Sequence, residues 1–159
     1  MEMTRNNNEK INVLYVDDEI NNLVSFKATF RIKYNVLTAT SGAEAIKLLN
    51  SNEVNIIITD QRMPGMTGVE FLEQILENHP DPIRVLLTGY ADMNAVIDAV
   101  NKGKIFHYLS KPWNEEELDT TIQRAYQVYH KRKAEKELND KLTISNEQLE
   151  FLLRQKLLS

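Results

Sequence analysis

Cysteine is absent from the 159-residue chain, which removes a disulfide framework, a thiolate metal site and a cysteine nucleophile. No apolar run comes near the ~18 residues of a membrane-spanning helix. The polar opening from Met1 to Lys10 has no stretch that reads as a signal peptide. A soluble, cytoplasmic protein without membrane association is the expectation. An excess of positive charge is missing too: 19 Lys and Arg face 23 Asp and Glu, for a net charge of −4. That argues against nucleic-acid binding by the chain alone. Glycine and proline are scarce, five and four residues, and all of them lie between Gly42 and Trp113. Beyond Asn114 nothing interrupts a helix, so one helix has room for about 45 residues, near 68 Å at 1.5 Å per residue.

Charge divides at the same place. Residues 1–123 hold 11 basic and 18 acidic side chains, and residues 124–159 hold 8 and 5, so a net −7 gives way to +3. The expected organisation is a globular body over 1–123 and an extended C-terminal helix over 124–159.

Within the body two periods alternate. Short β-branched, apolar runs at 11–16, 35–40, 54–59, 83–88 and 106–110 read as strands. Between them, residues such as Leu23, Phe26 and Phe30, or Val69, Leu72, Ile75 and Leu76, recur at helical spacing. Ser41 and Asn114 are candidate N-caps, Glu115, Glu116 and Glu117 suit a first helical turn, and Gly103 suits a helix end. Five strand–helix units in strict alternation imply parallel strands with right-handed crossovers and helices on both faces. The expected fold class is therefore α/β, a doubly wound five-stranded parallel sheet with a long C-terminal helical extension. Such sheets bind ligands beyond the carboxyl ends of their strands.

Chemistry collects at those ends. The first strand ends in Asp17-Asp18-Glu19, the third in Asp60, the fourth in Thr88-Gly89 and the fifth in Ser110-Lys111-Pro112. Clustered carboxylates repel unless a cation shares the site. Hard oxygen donors with room for water suit Mg²⁺ together with phosphate oxygens. Lys111 offers a point charge to a phosphoryl oxygen and Thr88 a hydroxyl. With no cysteine and no Ser/His/Asp arrangement, a carboxylate is the nucleophile, forming an acyl phosphate. Met63 and Met66 read as packing residues. His79, His107 and His130 have no ligand spacing, and Trp113 reads as packing at the start of the last helix.

Four stretches carry a resemblance: Val13-Leu14-Tyr15-Val16-Asp17-Asp18-Glu19; Thr59-Asp60-Gln61-Arg62-Met63-Pro64-Gly65-Met66-Thr67-Gly68; Leu87-Thr88-Gly89-Tyr90-Ala91-Asp92; and Tyr108-Leu109-Ser110-Lys111-Pro112-Trp113. In this order they resemble the receiver domain of bacterial two-component response regulators, over about residues 10–125. The resemblance implies a flavodoxin-like sheet of order 2-1-3-4-5. It implies Asp60 as the acceptor of a phosphoryl group from a sensor histidine kinase. Mg²⁺ would be held by Asp17, Asp18, Asp60 and the backbone carbonyl of Arg62. Thr88 and Lys111 would contact the phosphoryl group, Tyr108 would be the switch aromatic, and the Lys111-Pro112 bond would be cis. The switching face would be the fourth helix, fifth strand and fifth helix. Arg62 and Tyr90, each two residues past a site residue, are expected to crowd the path of attacking water.

The tail carries two apolar seams. Leu118, Ile122, Ala125 and Tyr129 follow 4-3-4 spacing, and Leu138, Leu142, Ser145, Leu149, Leu152 and Lys156 form a second. Their registers differ, so an interruption or supercoil shift is expected between them. The expected role is a parallel coiled coil joining two copies through residues 114–159. Two other functions fit parts of this pattern. A Mg²⁺-dependent phosphatase with an aspartyl-phosphate intermediate would want a second acid two residues after Asp60, where Arg62 stands. An inert dimerisation module would be expected to lack part of the acidic set. The switch, not an enzyme, is the favoured expectation.

Overall fold

The computed structural model describes residues 10–158, the side chain of Tyr90 excepted. Five parallel strands, β1 (Asn12–Val16), β2 (Asn35–Ala39), β3 (Ile56–Asp60), β4 (Ile83–Thr88) and β5 (His107–Ser110), form one sheet of order 2-1-3-4-5. The helices are α1 (Ile20–Phe30), α2 (Gly42–Ser51), α3 (Gly68–Ile75), α4 (Met93–Asn101) and α5 (Glu115–Leu158), with a 3-10 turn at Tyr90–Asp92 before α4. This is the doubly wound parallel sheet expected from the alternation, with the flavodoxin-like order that the family resemblance implies. Strands β3 and β4 are buried along their whole length, as strands covered on both faces must be.

Two apolar layers sandwich the sheet. Val13, Tyr15, Ile56, Ile58, Val85 and Leu87 pack against α1 and α5, and Leu14, Val16, Ile57 and Leu86 pack against α2, α3 and α4. Met63 is buried and Met66 half-buried in the second layer, as packing residues. The capping signals hold. Ser41 accepts from the Glu44 amide at 3.1 Å, Asn114 accepts from the Glu117 amide at 3.1 Å, and Gly103 ends α4 with φ +72°. The strands at 54 and 106 start later than the apolar runs do. Val54 is buried and Phe106 exposed, and both precede the first paired residues of their strands.

Helix α5 runs unbroken for 44 residues, so no interruption separates the two seams. A change of seam needs none. At 3.6 residues per turn, the second seam points roughly 190° away from the first along one straight helix. Leu118, Ile122, Ala125 and Tyr129 are buried against the sheet, and Tyr129 is the last buried residue of α5. The helix starts at the carboxyl edge of the strands and leaves at the amino edge, where Lys136 Nζ lies 3.8 Å from Asp81 Oδ1.

A polar clamp fixes α5 to α1 and β2. Lys33 Nζ meets Asp119 Oδ2 at 2.6 Å, the Tyr34 hydroxyl donates to the other Asp119 oxygen, and Gln123 Nε2 donates to Tyr34 at 2.8 Å. Burial alone would raise the Asp119 carboxyl, but the bonds from Lys33 and Tyr34 outweigh it and hold the group below the usual range. A carboxyl lowered in the folded state stabilises above its unfolded value and loses that contribution as pH falls through the folded one. Asp119→Asn is expected to cost about 1–2 kcal/mol at neutral pH. It should also flatten the fall in urea midpoint below about pH 4. A wild-type slope retained in the variant would show that the clamp is not the acid-labile element.

Candidate phosphoacceptor site

The site is built by the sheet ladder running on past the strands. The Asp17 amide donates to Ala39 O at 3.1 Å, Gln61 to Leu87 O at 3.0 Å and Lys111 to Thr88 O at 3.0 Å. Those three bonds set Asp17, Asp60, Thr88 and Lys111 at one height on the carboxyl edge. Gln61, buried, turns the next loop back. Its carbonyl accepts from Gly68 at 3.0 Å and its side chain from Val69 at 2.9 Å. Glycine is required at 68, since a Cβ there would stand 2.4 Å from the Asp60 carbonyl oxygen.

Asp17, Asp18 and Asp60 each place a carboxylate oxygen within 4.8 Å of the others. Lys111 Nζ lies 2.6 Å from Asp60 Oδ1, and the Lys111–Pro112 bond is cis. Burial pushes the Asp60 carboxyl up from its usual range. The bond and charge of Lys111 pull against that rise, while the charge of Asp17 adds to it. Three carboxylates facing one ammonium leave the pocket short of positive charge. A divalent cation with hard-oxygen preference fits that donor set.

Asp17, fully buried, is held from three sides. The Glu19 amide donates to Oδ1 at 3.0 Å, and Asn22 Nδ2 at 3.0 Å and the Tyr15 hydroxyl at 3.3 Å both donate to Oδ2. Asp18 is exposed at the mouth. Thr88 is buried beside the pocket, but its hydroxyl donates to the Gly89 carbonyl at 3.1 Å and makes no bond to Asp60. Tyr108 is half-buried against the second apolar layer, neither fully out nor fully in.

The Arg62 side chain extends to the far side of the pocket and pairs with Asp92 at 3.0 Å. It thereby ties the loop after β3 to the turn before α4. Asp92 closes one of the stretches that carry the resemblance, but its pairing with Arg62 was not anticipated, because nothing local links residues thirty positions apart. The other expected obstacle to water, the Tyr90 side chain, lies outside the described residues. Tyr15, Asn22 and Trp113 were also missed as site residues. The signal available for Tyr15 was strand period, since Asp17 follows two residues on, just past the end of β1 where the ladder continues, and so shares its face.

Residues 13–123 match the family described as the response regulator receiver domain. The chain belongs to that family, whose members act in two-component signalling. It is 40% identical over 116 residues to the hydrogenase transcriptional regulatory protein HoxA of Cupriavidus necator, a match covering 73% of this chain and 24% of that protein. Among solved structures it is similar to an adenylate cyclase from Rhodopirellula baltica, with a TM-score of 0.81 and 29% identity, covering 83% of this chain and 98% of that one. A response regulator receiver domain protein from Clostridium thermocellum aligns with a TM-score of 0.69 and 32% identity, covering 74% and 94%. The chain spans about a quarter of the length of the HoxA proteins it matches.

Proposed function

We propose that this chain is a phosphorylation switch rather than an enzyme: Asp60 accepts a phosphoryl group from phosphohistidine on a sensor histidine kinase. The observation that carries the reading is the Asp60–Lys111 contact at 2.6 Å inside a cluster of three carboxylates. An Asp60 oxygen attacks phosphorus, the phosphorus–nitrogen bond breaks, and its electron pair returns to the imidazole. Such transfer needs positioning and charge neutralisation more than covalent help. Asp17, Asp18, Asp60 and the Arg62 carbonyl would hold Mg²⁺, which supplies charge neutralisation when bound. Lys111 moves its contact from the carboxylate to the phosphoryl oxygens. Thr88 leaves the Gly89 carbonyl for the phosphoryl group, and Tyr108 follows inward. Ile20 and Val24, exposed one turn apart beside Asp18-Glu19, offer the apolar ground a protein donor needs next to the pocket. The setting this implies is cytoplasmic; among the described residues no helix is long and apolar enough to cross a membrane.

The proposed output is a second copy of the chain. Leu138, Leu142, Leu149 and Leu152 are each more than half exposed, in a helix too apolar at its end to stand alone in water. Traced upward at the same 4-3 spacing, the seam meets Glu135, Lys131, Val128, Arg124, Thr121 and Glu117. In a parallel pair Arg124 would face Arg124 and Lys131 would face Lys131. These facing charges favour pairing over 138–156 rather than over the whole of 114–159 first expected.

Acetyl phosphate with Mg²⁺ tests the switch. Intact-mass analysis is expected to find one phosphoryl adduct on the wild type and none on Asp60→Asn. An adduct of equal yield on the variant would overturn Asp60 as acceptor.

A further inference from the structure

Asp17 is joined to α5 by a continuous packed path on the α1 side of the sheet. The Tyr15 ring, almost wholly buried, stacks on Phe26 at 4.2 Å with 4° between the planes, and its hydroxyl donates to Asp17 Oδ2. Trp113 turns its indole N–H toward the same hydroxyl. Its ring meets Phe26 edge-on at 6.1 Å and Phe30 at 5.9 Å. Phe30 in turn lies 5.8 Å from Tyr34, which bonds Asp119 on α5. Trp113 directly precedes the Asn114 cap of α5 and follows the Lys111-Pro112 pair.

A hydroxyl can donate one hydrogen bond while accepting another. Tyr15 is therefore suited to give its proton to Asp17 and take one from Trp113. Asp17 has four lone-pair sites on its two oxygens, and Glu19, Asn22 and Tyr15 fill three of them. One remains for a cation. The free site is on Oδ1, the oxygen that carries a single donor; the donors hold the carboxylate in one orientation, and a cation that draws on Oδ1 withdraws charge from the shared carboxylate to which Tyr15 is bonded through Oδ2.

The geometry points to Tyr15 as the positioning residue of Asp17 and to Trp113 as its partner at the root of α5, so that divalent-cation binding at Asp17 is felt at Trp113 through the Tyr15 hydroxyl. This path is separate from the one through Thr88 and Tyr108, which lies at β4 and β5. It rests on the proposed cation site. By linkage it runs both ways: if the cation alters the contact between Tyr15 and Trp113, a change in that contact alters the cation's affinity in turn.

The test uses the full chain, Mg²⁺ alone and no phosphoryl donor. Trp113 is the sole tryptophan, so its emission reports one place. Calorimetry measures affinity while fluorescence measures the response. Magnesium is expected to change wild-type emission with the same midpoint as the heat. Tyr15→Phe keeps the ring stack and removes the hydroxyl. Loss of an outer partner of a ligand costs 10–100-fold in metal affinity, so binding should weaken about tenfold, and the emission response should vanish even at saturation. Asn22→Ala removes a donor to Asp17 that has no contact with Trp113. It should weaken binding yet keep the full response at saturation. Far-ultraviolet circular dichroism checks that both variants fold. Heat without any change in wild-type emission would overturn the inference and spare the cation site. A Tyr15→Phe protein with wild-type affinity and response would overturn it as well. No heat at all would overturn the cation site and the inference together.

Discussion

Lys111→Ala is expected to slow phosphoryl uptake from acetyl phosphate about a hundredfold while making Mg²⁺ bind more tightly. The two signs come from one charge. Lys111 lies 2.6 Å from Asp60 and is the cation paired with the carboxylate cluster. Removing it leaves three carboxylates with no resident counter-charge, and a divalent cation then gains attraction. The same ammonium stabilises charge on the phosphoryl oxygens during transfer, and losing one such preorganised contact costs 10²–10³ in rate. Rate is followed by intact-mass time courses and affinity by calorimetry. Slower transfer with weaker Mg²⁺ binding would mean that Lys111 holds the pocket's shape rather than its charge balance. Lys111→Arg separates these further, since it keeps the charge but changes its geometry.

The second large effect is expected in the tail. Leu149→Glu with Leu152→Glu should raise the dissociation constant of the dimer about a thousandfold. Each seam leucine is more than half exposed in the single chain, so pairing buries roughly half a side chain, about 1 kcal/mol apiece. Two positions in two copies amount to about 4 kcal/mol, or three decades in affinity. Light scattering across a dilution series reads it directly. Phe151 and Leu153 flank the seam and serve as the comparison. A pair of glutamates there that dissociates the dimer, with 149 and 152 tolerant, would move the interface to another face. A wild-type monomer at high concentration would remove the dimer altogether.

The fold was legible because burial on both faces leaves a coarse pattern. Ile56-Ile57-Ile58 has no polar alternation, and only a doubly covered strand tolerates that. The acidic cluster was legible for a similar reason: in such a sheet the first polar residues after each apolar run stand together, so Asp17, Asp60, Thr88 and Lys111 were found without knowing the strand order. What escaped is what satisfies a second demand. Tyr15 and Trp113 are fully accounted for as core aromatics; strand period puts Tyr15 on the face of Asp17, but nothing along the chain reveals that its hydroxyl bonds that carboxylate. Asn22 looks like any exposed polar residue of an amphipathic helix. Arg62 reads along the chain as a long side chain beside the pocket; its pairing with Asp92, on the turn before α4, is not legible locally, and pairing decides where a long side chain goes. Of the interruption or supercoil shift expected in α5, the interruption is absent, and a supercoil shift is a property of two helices wound together. A single straight helix carries both seams simply by presenting different sides.

The unbroken helix also sets a mechanical ratio. About 44 Å of α5 extends from Tyr129, its last buried residue, to Leu158. With its root clamped by Asp119 and no buried residue past Tyr129, α5 has the geometry of a beam that would pivot near Tyr129. A tilt of about 5° at that fulcrum, less than a side-chain rotamer change produces locally, carries the tip roughly 4 Å over such a length. At Leu149 and Leu152, about 30 and 35 Å out, the same tilt would amount to roughly 3 Å.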